Sequence, residues 1–206
     1  MKKISLMLKI FFCSLLFLTT SCVVDHVFLK KDVKPNSRIA VICAEPKYKD
    51  ISLLFVSAIE TELIKSSTFN VVKQTETMKL IPDYPQKIKG PYGMVISSEI
   101  NENYSKTDVA SLREIASKLK VDYLYVIWVP LFLEIDTDTT ADLYQCSTIA
   151  QLFEFPSGNE IAHAKYNPQW VKDGFAIGGI YSPEEAFQIF SEYIVKDIGK
   201  NTKTLK

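Results

Sequence analysis

The sequence predicts an α/β (α+β) domain: a mixed sheet begun by a βαβ unit, followed by a helix and an antiparallel meander, and closed by a C-terminal helix. Three observations predict it. "RIAVICA", residues 38–44, is apolar and β-branched almost throughout, which suits a strand buried on both faces. Ile51, Phe55, Ile59 and Leu63 recur every four residues, the mark of one helical face. "VDYLYVIWVPLFLEI", "LYQCSTIAQLFEF" and "EIAHAKY" then follow one another as strand-like runs separated by polar turns.

The elements follow in order. After the first strand, Asp50 can cap a helix that runs to about Ser66, with Leu54 and Ala58 widening its apolar stripe. "FNVVKQ" returns as a second strand, and strand, helix, strand within ~35 residues implies parallel pairing. Residues 80–104 read as a long irregular segment with three prolines and two glycines, a length that calls for a job. Ser105 or Thr107 starts the next helix, whose face is Val109, Leu112, Ala116 and Leu119. "PSGN", residues 156–159, turns one long strand into the next. Ser182, Pro183 and Glu185 form a capping-box start for the last helix, which lines up Phe187, Phe190, Ile194 and Ile198.

Ahead of this domain lies a different kind of segment. Lys2, Lys3 and Lys9 precede and enter an uncharged apolar run at residues 10–18, and Thr19, Thr20 and Ser21 follow it. A basic region, a short apolar core and small residues make a secretory signal peptide over residues 1–21. The run is too short to span a bilayer, which takes about 20 apolar residues. Residues 22–37 mix charge, Pro35 and Asn36 without a period, and read as a tether of ~15 residues reaching at most ~55 Å. The domain then occupies residues 38–206.

Composition narrows the function classes. Removing the three lysines of the signal peptide leaves 21 basic against 24 acidic residues, a net charge of −3. Only Arg38 and Arg113 are arginines, so neither a basic nucleic-acid footprint nor a set of bidentate phosphate grips is present. Cys43 and Cys146 could pair in an oxidising compartment. Each lies in an apolar strand-like run, which reads more simply as a buried free thiol.

"LTTSC" resembles the lipobox of bacterial lipoproteins, in which the cysteine after the cleavage point is lipidated. The resemblance implies Cys22 as the anchor, while Cys13 leaves with the signal peptide. Val23 stands where an Asp would signal inner-membrane retention, so the resemblance implies the outer membrane and its periplasmic face. "RIAVI", "FNVVKQTE", "ASKLKVDYLYVIWV" and "AQLFEFPSGNEIAHA" are together similar to the periplasmic domain of CsgG-like lipoproteins and the amino-terminal domain of TolB. That likeness implies an assembly or regulatory protein working by contact with envelope proteins or further copies of itself, with no active site and no cofactor. A curli-type pore would need two more hairpins with strands of about 9–11 residues, and the prolines of the one spare segment oppose them.

The residues also bear on other chemistries. Asp136 and Asp138, in "LFLEIDTDTT", match the opening motif of haloacid-dehalogenase-type phosphatases, but the motif precedes another strand and leaves 66 residues after Thr140. The simpler reading is a turn whose Asp and Thr side chains cap backbone groups. No metal site is expected: the calcium-loop glycine and glutamate are missing, and His26 and His163 have no reason to meet. A small-ligand binder using the proline-rich segment as a lid is the remaining alternative. Tyr92, Trp170 and Phe175 lie in two Pro/Gly-containing stretches and are the candidate partner-binding aromatics.

Overall fold

The computed structural model describes residues 25–29, 33–91, 107–135, 143–167, 169–171 and 183–202. They form a mixed seven-stranded open sheet with helices on both faces. The strands are β1 (Asp25–Phe28), β2 (Arg38–Cys43), β3 (Asn70–Val72), β4 (Tyr123–Ile135), β5 (Leu143–Glu154), β6 (Asn159–Tyr166) and β7 (Gln169–Val171). The helices are α1 (Lys49–Ser66), α2 (Gln74–Leu80), α3 (Val109–Leu119) and α4 (Pro183–Lys200). Strand order is β1-β6-β5-β4-β2-β3, with β7 on β5. β2 pairs in parallel with β3 and β4, and the rest of the order is antiparallel. The expected βαβ unit, meander and final helix are therefore all present, although the sheet stays open and α4 covers one face rather than closing it.

Alternation along β2 assigns the two faces. Ile39, Val41 and Cys43 point to the face covered by α1 and α4, where Phe55, Ile59, Leu63, Phe190, Ile194 and Ile198 are buried. Ala40 and Ile42 point to the other face, under Leu112, Ile115, Ala116 and Leu119 of α3. A strand covered on both faces needs an unbroken apolar run, which is what "RIAVIC" supplies. Leu54 departs from expectation. It is 46% exposed and lines a groove between α1 and α4 instead of the core.

The β5–β6 turn needs Gly158, at φ +75°, where a Cβ would also stand 2.7 Å from Val109 Cγ1. α3 starts at Asp108, whose carboxylate accepts hydrogen bonds from the Ser111 amide (3.2 Å) and hydroxyl (2.7 Å). Those bonds, the hydroxyl's first, hold its carboxyl below the usual range. Asp108→Ala should cost about 1 kcal/mol at neutral pH. Because the folded pKa is depressed, that contribution is complete above the unfolded value and is lost as pH falls through the folded one. Urea unfolding of both proteins should show the gap closing below about pH 4.

Residues 22–37 are not a tether throughout. Asp25–Phe28 pair with Lys165–Ala162 of β6 as an edge strand, and Phe28 packs against the core. Val33 is fully buried and bridges to Thr202 after α4. The physical reason is tertiary: four residues of strand form because β6 presents a free edge. The opposite edge is finished differently. β3 stops at Val72, and beyond it side chains replace a strand: Gln74 Nε2 donates to the Val41 carbonyl (2.7 Å) and the Cys43 amide donates to the Tyr84 hydroxyl (2.8 Å).

Candidate functional site

β2 and β4 are parallel neighbours; α1 leaves the carboxyl end of β2 over one face of the sheet, and α3, over the other face, leads into the amino end of β4. In doubly wound sheets the crevice outside the carboxyl ends of such strands is where ligands bind. Here that crevice is filled by the chain itself. The Ile88 amide donates to the Ala44 carbonyl (3.1 Å), and Trp128 Nε1 donates to the Ile88 carbonyl (3.0 Å). Gly90 then lies flat on the indole, where a Cβ would come within 2.3 Å of Nε1. Ile81 and Ile88 are buried in the same cluster. The part of the proline-rich segment up to Pro91 is thus packed against the sheet rather than poised as a lid.

The titratable groups at this end are built into the core. Cys43 is 1% exposed, its thiol donates to the Glu45 carbonyl (3.4 Å), and burial pushes its pKa up. Cys146 is fully buried and its thiol is pushed up to about 12 by burial. Both are free thiols held protonated, so neither is poised as a nucleophile. Burial likewise raises the Tyr84 hydroxyl. His163 Nδ1 lies 2.9 Å from Glu160 Oε1 in a buried position. Register sets His163 opposite Val27 and His26 opposite Ala164, so the two histidines are offset by one residue. Among the described residues no group of three or more His, Cys, Asp or Glu side chains is arranged to hold a metal ion.

Two surface grooves are lined by described residues. One, of about 280 Å³, runs between α1 and α4 along Leu54, Ala58, Thr61 and Phe187. The other, of about 370 Å³, lies at the far end of α3 beside Lys120, Val121 and Phe155, where Arg113 spans to the Pro156 and Ser157 carbonyls at 3.4 and 3.3 Å.

Of the residues singled out from the sequence, Cys22, Tyr92, Phe175, Asp136 and Asp138 lie outside the described residues, as does the side chain of Trp170. The backbone at position 170 belongs to β7, opposite Tyr144 of β5. Ile135 pairs directly with Leu143, so the segment carrying Asp136 and Asp138 joins two antiparallel strands. The phosphatase motif belongs to a strand that leads into a helix, whereas the next described element after β4 is the antiparallel strand β5. Sequence reasoning missed the Trp128–Ile88–Gly90 contact. The only available signal was an indole in a strand buried on both faces, whose N–H must find a partner.

No family model and no curated relative matches the chain. Solved structures do. The PelC dodecamer from Paraburkholderia phytofirmans is similar over 89% of this chain and 99% of its own, at 8% identity and a TM-score of 0.51. Lipoprotein GNA1162 from Neisseria meningitidis matches 80% of this chain and 99% of its own, at 11% identity and a TM-score of 0.46. A minor lipoprotein from Acinetobacter baumannii matches 82% of this chain at 10% identity and a TM-score of 0.37. The chain shares the PelC fold. At these identities the likeness concerns architecture alone.

Proposed function

We propose that this chain is a bacterial envelope lipoprotein that acts by protein contact. Residues 1–21 are its signal peptide, Cys22 carries the lipid, and the αβ domain works at the periplasmic face of the outer membrane in a CsgG-like or TolB-like assembly or regulatory role. The observation that carries this reading is the junction between anchor and fold. The lipobox cysteine stands three residues before Asp25, and Asp25 is already paired with Lys165 in the sheet. A lipid at Cys22 is thereby joined to the folded domain itself. The filled crevice between β2 and β4 supports contact rather than catalysis as the mode of action. The dodecameric state of PelC supports further copies of this chain among its partners. The aromatics Tyr92, Trp170 and Phe175 are the proposed anchors for an envelope protein.

The test is processing. Cys22→Ser should accumulate as uncleaved precursor and lose radiolabelled palmitate, whereas Cys13→Ser should be cleaved and labelled like the wild type. Equal labelling of the two variants removes the anchor, and the proposed function with it.

A further inference from the structure

We propose that the domain rests against the membrane by one particular end, the end formed by the carboxyl terminus of β2 and the amino terminus of α1, and that the partner of this end is a lipid headgroup surface. The inference rests on lipidation of Cys22 as proposed above. Strand register carries it. Asp25 stands opposite Lys165, Lys165 opposite Ile149, and Ile149 opposite Trp128. Trp128 is one residue past Ile127, the partner of Cys43 at the end of β2. β1 therefore enters the sheet at the level where β2 ends and runs away from that level toward Phe28.

The chain between Cys22 and Asp25 reaches at most ~10 Å. α1 supplies a ruler for comparison. It starts just after the same end of β2 and leads back to β3, and Lys49 and Lys65 are sixteen residues, or ~24 Å, apart along it. A domain on a 15-residue tether could turn either end of α1 to the bilayer. One held ~10 Å from its lipid by a strand paired along its whole length turns only the Lys49 end.

The residues at that end fit headgroups rather than hydrocarbon. Lys47, Lys49, Lys87 and Lys89 are exposed there beside Asp50 and Asp83. Tyr48, partly exposed, stands between Lys47 Nζ (4.8 Å from its ring centre) and Phe132 (6.0 Å between ring centres). Mixed charges around an amphipathic ring suit the interfacial zone. β5 extends six residues beyond Ile149 to Leu143, ~20 Å further along the same direction. That reach exceeds the anchor's, so the strands lean against the surface instead of standing on it.

Lys49→Cys and Lys65→Cys, each in the full chain, test the orientation. Where Cys22 carries the lipid, a donor dye will mark only the introduced thiol, because Cys43 and Cys146 are 1% and 0% exposed. Each protein is purified from membranes, weighed intact to establish lipid on Cys22, and reconstituted into phosphatidylethanolamine–phosphatidylglycerol vesicles containing an acceptor lipid. The expected result is loss of donor emission at position 49, with most of the emission retained at position 65. Equal transfer from both positions, or greater transfer from 65, in a lipidated sample overturns the orientation and leaves the anchor standing. A vesicle-bound protein with unmodified Cys22 overturns both.

Discussion

Trp128→Ala should lose about 3–5 kcal/mol of unfolding free energy, measured by urea titration. Trp128 is fully buried and is the largest such side chain in the described structure. Its removal empties the space between β4 and residues 88–90 and takes away the indole N–H that donates to the Ile88 carbonyl. Against a typical domain stability of about 5–15 kcal/mol, this approaches the threshold of unfolding. Trp128→Phe separates the two parts of the effect. It retains most of the ring and removes the N–H, which should cost about 0.5–1.5 kcal/mol for the lost hydrogen bond. Hydrogen exchange of the Ile88 and Asp108 amides, which donate to Ala44 and Lys89, should speed up in both variants. Wild-type stability in Trp128→Ala would mean that residues 84–91 are not packed as described.

On the opposite face, Phe190→Ala should cost a similar ~3–5 kcal/mol. Phe190 is fully buried, stacks on Tyr166 (5.0 Å, 12°) and meets Phe55 edge-on (5.4 Å, 86°). It thus ties α4 to both β6 and α1. Phe55→Ala alone should be comparably damaging, and the double variant should fall short of the sum, because each ring is part of the other's surroundings. Additive losses would show that the two rings do not share one packing unit.

These two clusters mark the boundary of what the sequence discloses. β2, α1, β3, α3, the three long strands and α4 all announce themselves through period or through unbroken apolar runs, since their burial is decided by their own residues. Elements fixed from a distance do not. "DHVF" is too short to show a period, and β1 exists through its ladder with β6. α2 has an extended Lys73 with no capping side chain at its start; the Gln74 amide is met instead by Glu60 of α1 (2.9 Å). β7, three residues on β5, is likewise a product of its neighbour. The proline-rich segment reads as a loop because it has no period, and it has none because it fills a crevice with Ile81, Ile88 and Gly90 at irregular spacing. The site differs from the fold: Cys22 is proposed from a local motif alone and lies outside the described residues, whereas a contact surface assembled from separate turns leaves no such local signature.

The way the sheet ends at β3 limits what could ever be added to it. An incoming strand needs a run of unpaired backbone groups, and ordinary strands offer about 5–6 residues. β3 offers three before the chain turns into α2, and past it Gln74 and Tyr84 already occupy the Val41 carbonyl and the Cys43 amide. The other border, β1, is four residues long. At these two borders a strand from a neighbouring copy finds no ladder of ordinary length, so crowding on a surface does not favour edge-to-edge pairing there.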